Sequence, residues 1–270
     1  MRLRITSWNA NSVRLRQSTL ERIRDEIDPD ILCLQEIKVA SELFPHEMFE
    51  ALGYTHRLVH GQKAYHGVAV LSRIPLDGMV THDWCGKEEA RHLECRLPGG
   101  IELHNLYVPA GGDIPDVEQN PKFRHKLDML DELRDWFARN SDDRRRILLL
   151  GDLNIAPHEN DVWSHRQLLK VVSHTPVEVE KLAALQESHG FVDAIREIIP
   201  TDRKLYSWWS YRSRDWSASD RGRRLDHIWL SPALAPSLRD ATITREARGW
   251  DQPSDHVPVT IDLELPQQDD

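Results

Sequence analysis

Apolar residues along the chain come in short runs and alternations, and most of the runs end on a residue capable of chemistry. Leu3, Ile5 and Ser7 alternate with Arg4 and Thr6, a strand pattern that closes on Trp8-Asn9. Ser18-Thr19-Leu20-Glu21 has capping-box spacing and predicts a helix that buries Leu20, Ile23 and Ile27 and stops at Pro29. Ile31-Leu32-Cys33-Leu34 reads as a buried strand ending in Gln35-Glu36. A short helix over 45–52, stopped by Gly53, leads to three strand-like runs at 54–60, 67–72 and 92–97. In the last of these Leu93, Cys95 and Leu97 point one way. Pro98-Gly99-Gly100 turns that strand back on 101–107, which ends in Asn105-Leu106-Tyr107. Strands joined by so tight a turn are antiparallel, so the sheet is not purely parallel.

Phe123, Leu127, Leu130, Leu133 and Phe137 recur at helical spacing and predict a long amphipathic helix over 119–139. Arg144-Arg145-Arg146 is read as closing off that helix and leading into the next strand. Ile147 to Leu150 is a strand buried on both faces that delivers Gly151-Asp152-Leu153-Asn154 to its carboxyl end. Two stretches thus share one plan of polar-ended strand, helix, and buried strand ending in an acid: Asn9 to Glu36 and Tyr107 to Asp152. Such alternation is common in α/β chains. Read as a duplication, it brings Asn9, Glu36, Tyr107 and Asp152 to one rim. A helix from Pro176, with Val179, Leu182 and Leu185 on one face, ends at Gly190. Residues 206–224 interleave Tyr206, Trp208, Trp209, Tyr211 and Trp216 with Arg212, Arg214, Arg221, Arg223 and Arg224, and read as a long ordered loop. Strands follow at 225–230 and, led in by Ser254-Asp255-His256, at 257–263.

Composition narrows the class without deciding it. No low-complexity linker divides the 270 residues, so one domain over 1–270 is expected. No apolar run approaches the roughly 18 residues of a membrane span, and the start lacks a signal-peptide core, which points to a cytosolic (cytoplasmic) protein without a membrane partner. Cys33, Cys85 and Cys95 form no CxxC and are expected as reduced thiols, Cys33 and Cys95 in the core. The net charge of −9 argues against a polyanionic partner only if the acids are not gathered around a divalent metal.

The polar strand ends are Asn9, Glu36, Tyr107, Asp152, Asn154, Asp226, Asp255 and His256. Carboxylates and amide oxygens are the hard donor set of Mg²⁺ or Mn²⁺, and a metal so held acts as a Lewis acid on a phosphoryl oxygen. Asp226 and His256 suggest an acid that fixes an imidazole. The sequence contains neither a phosphate-cradling Gly-Lys-Ser/Thr loop nor a Gly-x-Ser-x-Gly elbow, which leaves hydrolysis by activated water.

Ser7-Trp8-Asn9, Leu34-Gln35-Glu36, Asn105-Leu106-Tyr107-Val108-Pro109, Gly151-Asp152-Leu153-Asn154, Arg224-Leu225-Asp226 and Ser254-Asp255-His256 together resemble, in order and spacing, the motif series of the exonuclease III family of apurinic/apyrimidinic (AP) endonucleases. The resemblance implies an α/β four-layer sandwich, two mixed, mainly antiparallel β-sheets packed face to face and flanked by helices. It implies Mg²⁺ with Mn²⁺ as substitute, and cleavage of double-stranded DNA 5′ to abasic sites, with action on blocked 3′ ends, by a monomer. Glu36 resembles the principal metal carboxylate, helped by Asn9 and Asp255. Asp152, oriented by Asn154, resembles the group that positions and deprotonates water. His256, braced by Asp226, would contact the scissile phosphate, and Tyr107 would donate a hydrogen bond to it. Trp208 and Leu225 fall where the family places lesion-pocket walls, and Arg212 and Arg214 would be phosphate contacts. The Arg144–Arg146 run is given no DNA role.

Three choices stay open at this stage: Asp152 or the Asp226-His256 pair as base, one metal or two, and the balance of endonuclease, 3′→5′ exonuclease and 3′-trimming activity. Ala110-Gly111-Gly112 follows Val108-Pro109 where the family often has an Asn or Gln, which removes one polar DNA contact. The competing readings are a phosphodiesterase of the same superfamily acting on a phospholipid or inositol phosphate, and a catalytically silent DNA-binding homologue. The Trp/Arg loop speaks for DNA. Retention of Glu36, Asp152, Asp226 and His256 speaks against a silent site.

Overall fold

The computed structural model describes residues 1–140, 142–213 and 215–266, so Arg214 lies outside the described residues. Six strands form the first sheet: β1 (Arg2–Asn9), β2 (Ile31–Gln35), β3 (His56–His60), β4 (Val68–Ser72), β13 (Leu238–Ile243) and β14 (Val259–Glu264). A second six-stranded sheet holds β5 (Asp77–Val80), β6 (His92–Leu97), β7 (Ile101–Tyr107), β8 (Arg146–Asp152), β9 (Val192–Asp193) and β12 (Asp226–Leu230). The short pair β10 (Trp208–Trp209) and β11 (Gly222–Arg223) stands apart. Each large sheet has a single parallel pairing, β1 with β2 and β7 with β8, and is otherwise antiparallel.

Those two parallel pairs are the repeated plan read from the sequence. Their registers set Asn9 beside Gln35 and Tyr107 beside Asp152. The crossovers contain α1 (Gln17–Arg22) in one case and α3 (Pro121–Arg139) in the other. Between the sheets, Leu3, Ile5, Ile31, Cys33 and Val70 meet Leu93, Cys95, Leu103, Leu148, Leu150 and Ile228. Outside the first sheet, α1 and α2 (His46–Ala51) cover Leu32, Leu34 and Leu71 with Leu20 and Phe49. Outside the second, α3 and α5 (Pro176–Glu187) cover Leu106, Leu149 and Trp229 with Phe123, Leu130, Phe137, Leu182 and Leu185. Residues 147–150 are all aliphatic because they pack alternately into the inner core and under α3, at about 1.5–3 kcal/mol per side chain fully buried. Three further short helices, α4 (His165–Leu168), α6 (Ala194–Ile198) and α7 (Trp216–Ser219), complete the element order.

The expected capping box at Ser18 does not form. The helix begins at Gln17 without a side-chain cap, and the Thr19 hydroxyl donates instead to the Asp251 carbonyl at 3.3 Å, a tertiary partner the local pattern does not contain. A capping box is present at Thr175 and Glu178, at the start of α5. Strand β5 escapes the pattern because all four of its residues are exposed. The long loop over 206–224 carries β10, β11 and α7 within it. Among the described residues no helix is long and apolar enough to cross a membrane.

Candidate active site

Glu36 and Asp152 reach the same rim because each follows the carboxyl end of a strand in a parallel pair. The Asn9 side-chain amide donates to both carboxylates, at 2.9 Å to Glu36 Oε1 and 2.9 Å to Asp152 Oδ2. Glu36 and Asn154 both adopt left-handed backbone conformations, with φ 47° and 55°, a strained turn that aims the group at each strand end. In that turn the Asn154 N–H donates to Asp152 Oδ1 at 2.9 Å. The Asn154 side chain is spent elsewhere, donating to the Val108 carbonyl at 2.9 Å, so its hold on Asp152 runs through the backbone.

The antiparallel register of β8 and β12 places Asp226 directly opposite Asp152. Asp226 Oδ2 accepts from His256 Nδ1 at 2.8 Å and from the Ser207 hydroxyl at 2.6 Å. The other imidazole nitrogen, Nε2, faces Asp152 Oδ2 at 3.6 Å. Glu36, Asp152 and His256 each bring one polar side-chain atom within 4.8 Å of the others, and the two carboxylates among them supply hard oxygens that suit a divalent cation. Asp255 stands outside that cluster. Its carboxylate accepts from Asn11 Nδ2 at 2.9 Å and from Trp208 Nε1 at 3.0 Å, which ties the aromatic wall to the rim.

These contacts set the charge states. Burial pushes the Asp152 carboxyl up, the charges of Asp226 and Glu36 add to this, and His256 and the Asn9 amide oppose it, leaving it at about 7. Burial opposes charge on His256, but Asp226 and Asp152 outweigh it and hold the imidazole protonated well above its usual range. For Glu36 burial also works upward, and the Lys38 ammonium at 2.9 Å with the Asn9 amide keeps it below the ordinary carboxylate value. Burial and the two carboxylates keep the Tyr107 hydroxyl protonated, while the Arg91 guanidinium lies 4.9 Å from its ring.

The rim opens into a cleft of about 540 Å³ that Trp208, Leu225 and Arg212 line together with Glu36, Tyr107, Asn154 and His256. All the expected site residues except Asp152, Asn9, Asp226 and the undescribed Arg214 border this cleft, and Asp152, Asn9 and Asp226 lie buried directly behind it. Sequence reading missed Asn11, Lys38, Lys126 and Arg223. Lys126, fully buried on α3, pairs with Glu178 and donates to the Asn154 carbonyl at 2.8 Å, which pins the turn after Asp152. A lysine on the apolar face of a helix was the available signal, since such a residue must find a partner.

The sequence profile of the endonuclease/exonuclease/phosphatase family matches residues 6–256. The chain is 32% identical to exodeoxyribonuclease III of Haemophilus influenzae over 268 residues, covering 95% of this chain and 98% of that one. It is 33% identical to the DNA repair nuclease APEX1 of Danio rerio over 278 residues, 97% of this chain and 82% of the relative. Among solved structures, an AP endonuclease from Archaeoglobus fulgidus superposes with a TM-score of 0.90 at 31% identity, covering 97% of this chain and all (100%) of its own. A 3′ phosphatase from Neisseria, solved with a product DNA hairpin, gives 0.88 at 29% identity and the same coverage, 97% and 100%.

Proposed function

The chain belongs to the endonuclease/exonuclease/phosphatase family, and we propose that within it this protein is a metal-dependent DNA phosphodiesterase of base excision repair. It hydrolyses the backbone of duplex DNA 5′ to abasic sites and trims blocked 3′ ends, acting as a monomer. The observation that carries the reading is the convergence of Glu36, Asp152 and His256 on one point of a cleft walled by Trp208 and Leu225.

Glu36 would hold Mg²⁺, or Mn²⁺ in its place, with Asn9 and Asp255 ordering the surrounding shell. Bound there, the cation would supply Lewis-acid stabilisation of charge on the phosphoryl oxygens. The residues divide the remaining work by their charge states. A carboxyl raised towards neutrality is matched to taking a proton from water, so Asp152 is the base and the backbone N–H of Asn154 fixes its orientation. His256 is already protonated and clamped by Asp226, which suits it to stabilise the phosphate as charge develops. This separation of roles favours Asp152 over the Asp226-His256 pair. Tyr107, kept protonated, donates to a non-bridging oxygen. Attack forms the water O–P bond as the P–O3′ bond breaks, and the released O3′ takes up a proton. Trp208 and Leu225 accept the extruded baseless sugar against apolar walls, while Arg212 and Arg214 contact flanking phosphates.

End-group analysis tests this reading. A duplex with one tetrahydrofuran abasic analogue is expected to be cut with Mg²⁺ to a 3′-hydroxyl on the upstream fragment. A protein that leaves this duplex whole and releases phosphate from an inositol phosphate would reverse the assignment.

A further inference from the structure

Arg223 lines the same cleft and has no part in the chemistry above. It sits opposite Trp208 across the β10–β11 pair, with its guanidinium carbon 5.3 Å from the Trp208 ring centre. One terminal nitrogen, Nη1, donates to the Val172 carbonyl at 2.9 Å and to the Ser173 hydroxyl at 2.7 Å. Its Nε is buried with no partner among the described residues. The adjacent Arg224 shows the alternative, since it is neutralised by Asp161 and Asp193. No described carboxylate does this for Arg223, and the buried Glu178 behind Ser173 is already taken by Lys126. A guanidinium removed from water without a counter-charge is costly unless something else supplies the charge. The other terminal nitrogen, Nη2, makes no hydrogen bond among the described residues, and Arg223 lines the cleft together with Trp208 and Leu225.

We propose that Arg223 forms an anion subsite in the lesion pocket, taking an anionic group carried on the side of the scissile phosphate that stays with phosphorus. The inference rests on the DNA phosphodiesterase reading. Cleavage 5′ to an abasic sugar leaves that sugar attached to the phosphate, so the retained side is the one that enters the pocket. A neutral deoxyribose meets only the apolar walls there. A carboxylate, or a further phosphate, also meets a guanidinium with free donors, the geometry that planar anions match. The pocket is therefore suited to 3′ ends whose terminal phosphate is esterified to the hydroxyl of a hydroxy acid, with the carboxylate left free, and it discriminates by charge as well as by the absence of a base.

Three duplexes separate the sources of negative charge: a 3′-phosphoglycolate end, a tetrahydrofuran residue at the 3′ terminus with no phosphate beyond it, and an internal tetrahydrofuran site that keeps its downstream phosphate. For the wild-type protein kcat/KM is expected to be highest on the phosphoglycolate end. Arg223→Gln should lower the ratio of phosphoglycolate to terminal tetrahydrofuran by about tenfold or more, mostly through KM, the scale of a lost charge-assisted hydrogen bond. Arg223→Lys, which keeps the charge, should recover part of the ratio, and this distinguishes lost charge from a disturbed fold. A fall confined to the ratio of internal to terminal tetrahydrofuran would support the subsite and identify the downstream phosphate as its anion. Equal losses on all three duplexes, or none on any, would overturn the subsite while leaving the phosphodiesterase reading intact. Wild-type protein inert on all three would overturn that reading itself.

Discussion

Asp152 sits where a carboxylate is hardest to keep ionised: buried, opposite Asp226 in the register and linked through the Asn9 amide to Glu36. Its neighbours hold its carboxyl at about 7 and keep the His256 imidazole protonated, the charge states that the proposed base and the proposed phosphate-stabilising cation require. Asp152→Asn keeps the shape and removes the charge. Its turnover on the abasic duplex should fall by roughly 10²–10⁴-fold, while binding of the uncut duplex, read by anisotropy in Ca²⁺, changes little. Parallel loss of binding and turnover would instead make Asp152 an anchor for the fold or the metal. At this scale the principal acids were legible because each ends a hydrophobic run. Asn11 and Lys38 were not, since their contacts exist only once the backbone turns left-handed at both, with φ 44° and 53°. That Asn154 meets Asp152 through its backbone was not legible either, because the turn that brings its N–H to Asp152 directs its side-chain amide to Val108.

Two elements hold these groups in register. Gly151 has φ 137°, and a Cβ there would lie 1.9 Å from the Leu106 carbonyl oxygen of the parallel neighbour β7. Gly151→Ala must push β8 away from β7 just before Asp152. It is expected to destabilise the protein by on the order of 1–3 kcal/mol in chemical denaturation and to depress nicking beyond that loss; a variant as stable and active as wild type would show that the close approach is not needed. The second element is the turn at 159–161, fastened by the ion pairs of Asp161 to Arg224, just before β12, and to Arg196 on α6. Burial pushes the Asp161 carboxyl up, yet the two guanidinium groups outweigh it and hold it down to about 2. The folded state therefore keeps Asp161 ionised over a range in which the unfolded chain, near the usual pKa of about 3.9, takes up a proton. The resulting stability is complete above about pH 4 and is lost as pH falls towards 2. Acid unfolding monitored by circular dichroism should show a shallower loss between pH 4 and 2 in Asp161→Asn, on a protein already weakened because Arg224 keeps only Asp193 as a carboxylate partner; an unchanged acid slope would show that Asp161 does not carry this acid sensitivity. The strands that carry the site were readable because their faces alternate or are wholly apolar. The fully exposed β5 and the start of α1 depend on tertiary partners that no local pattern records.

The whole molecule joins two strand-helix-strand units back to back, so that one core of aliphatic side chains fixes the separation of two acids far apart in sequence. The sandwich was legible only through the order of its motifs, because periodicity gives strands without saying which sheet each joins. The net charge of −9 opposes approach to a polyanion, so the proposed DNA contact would draw on a cation at the acidic rim and on the arginines interleaved in the sequence over 206–224. Metal-dependent cleavage is tested most directly by the single-turnover nicking rate of a duplex with one internal abasic analogue, measured with Mg²⁺, after chelation, and after Mg²⁺ is restored. Cleavage 5′ to the lesion that disappears with the chelator and returns with the metal is the predicted result; an uncut duplex in Mg²⁺, or nicking indifferent to chelation, would contradict it.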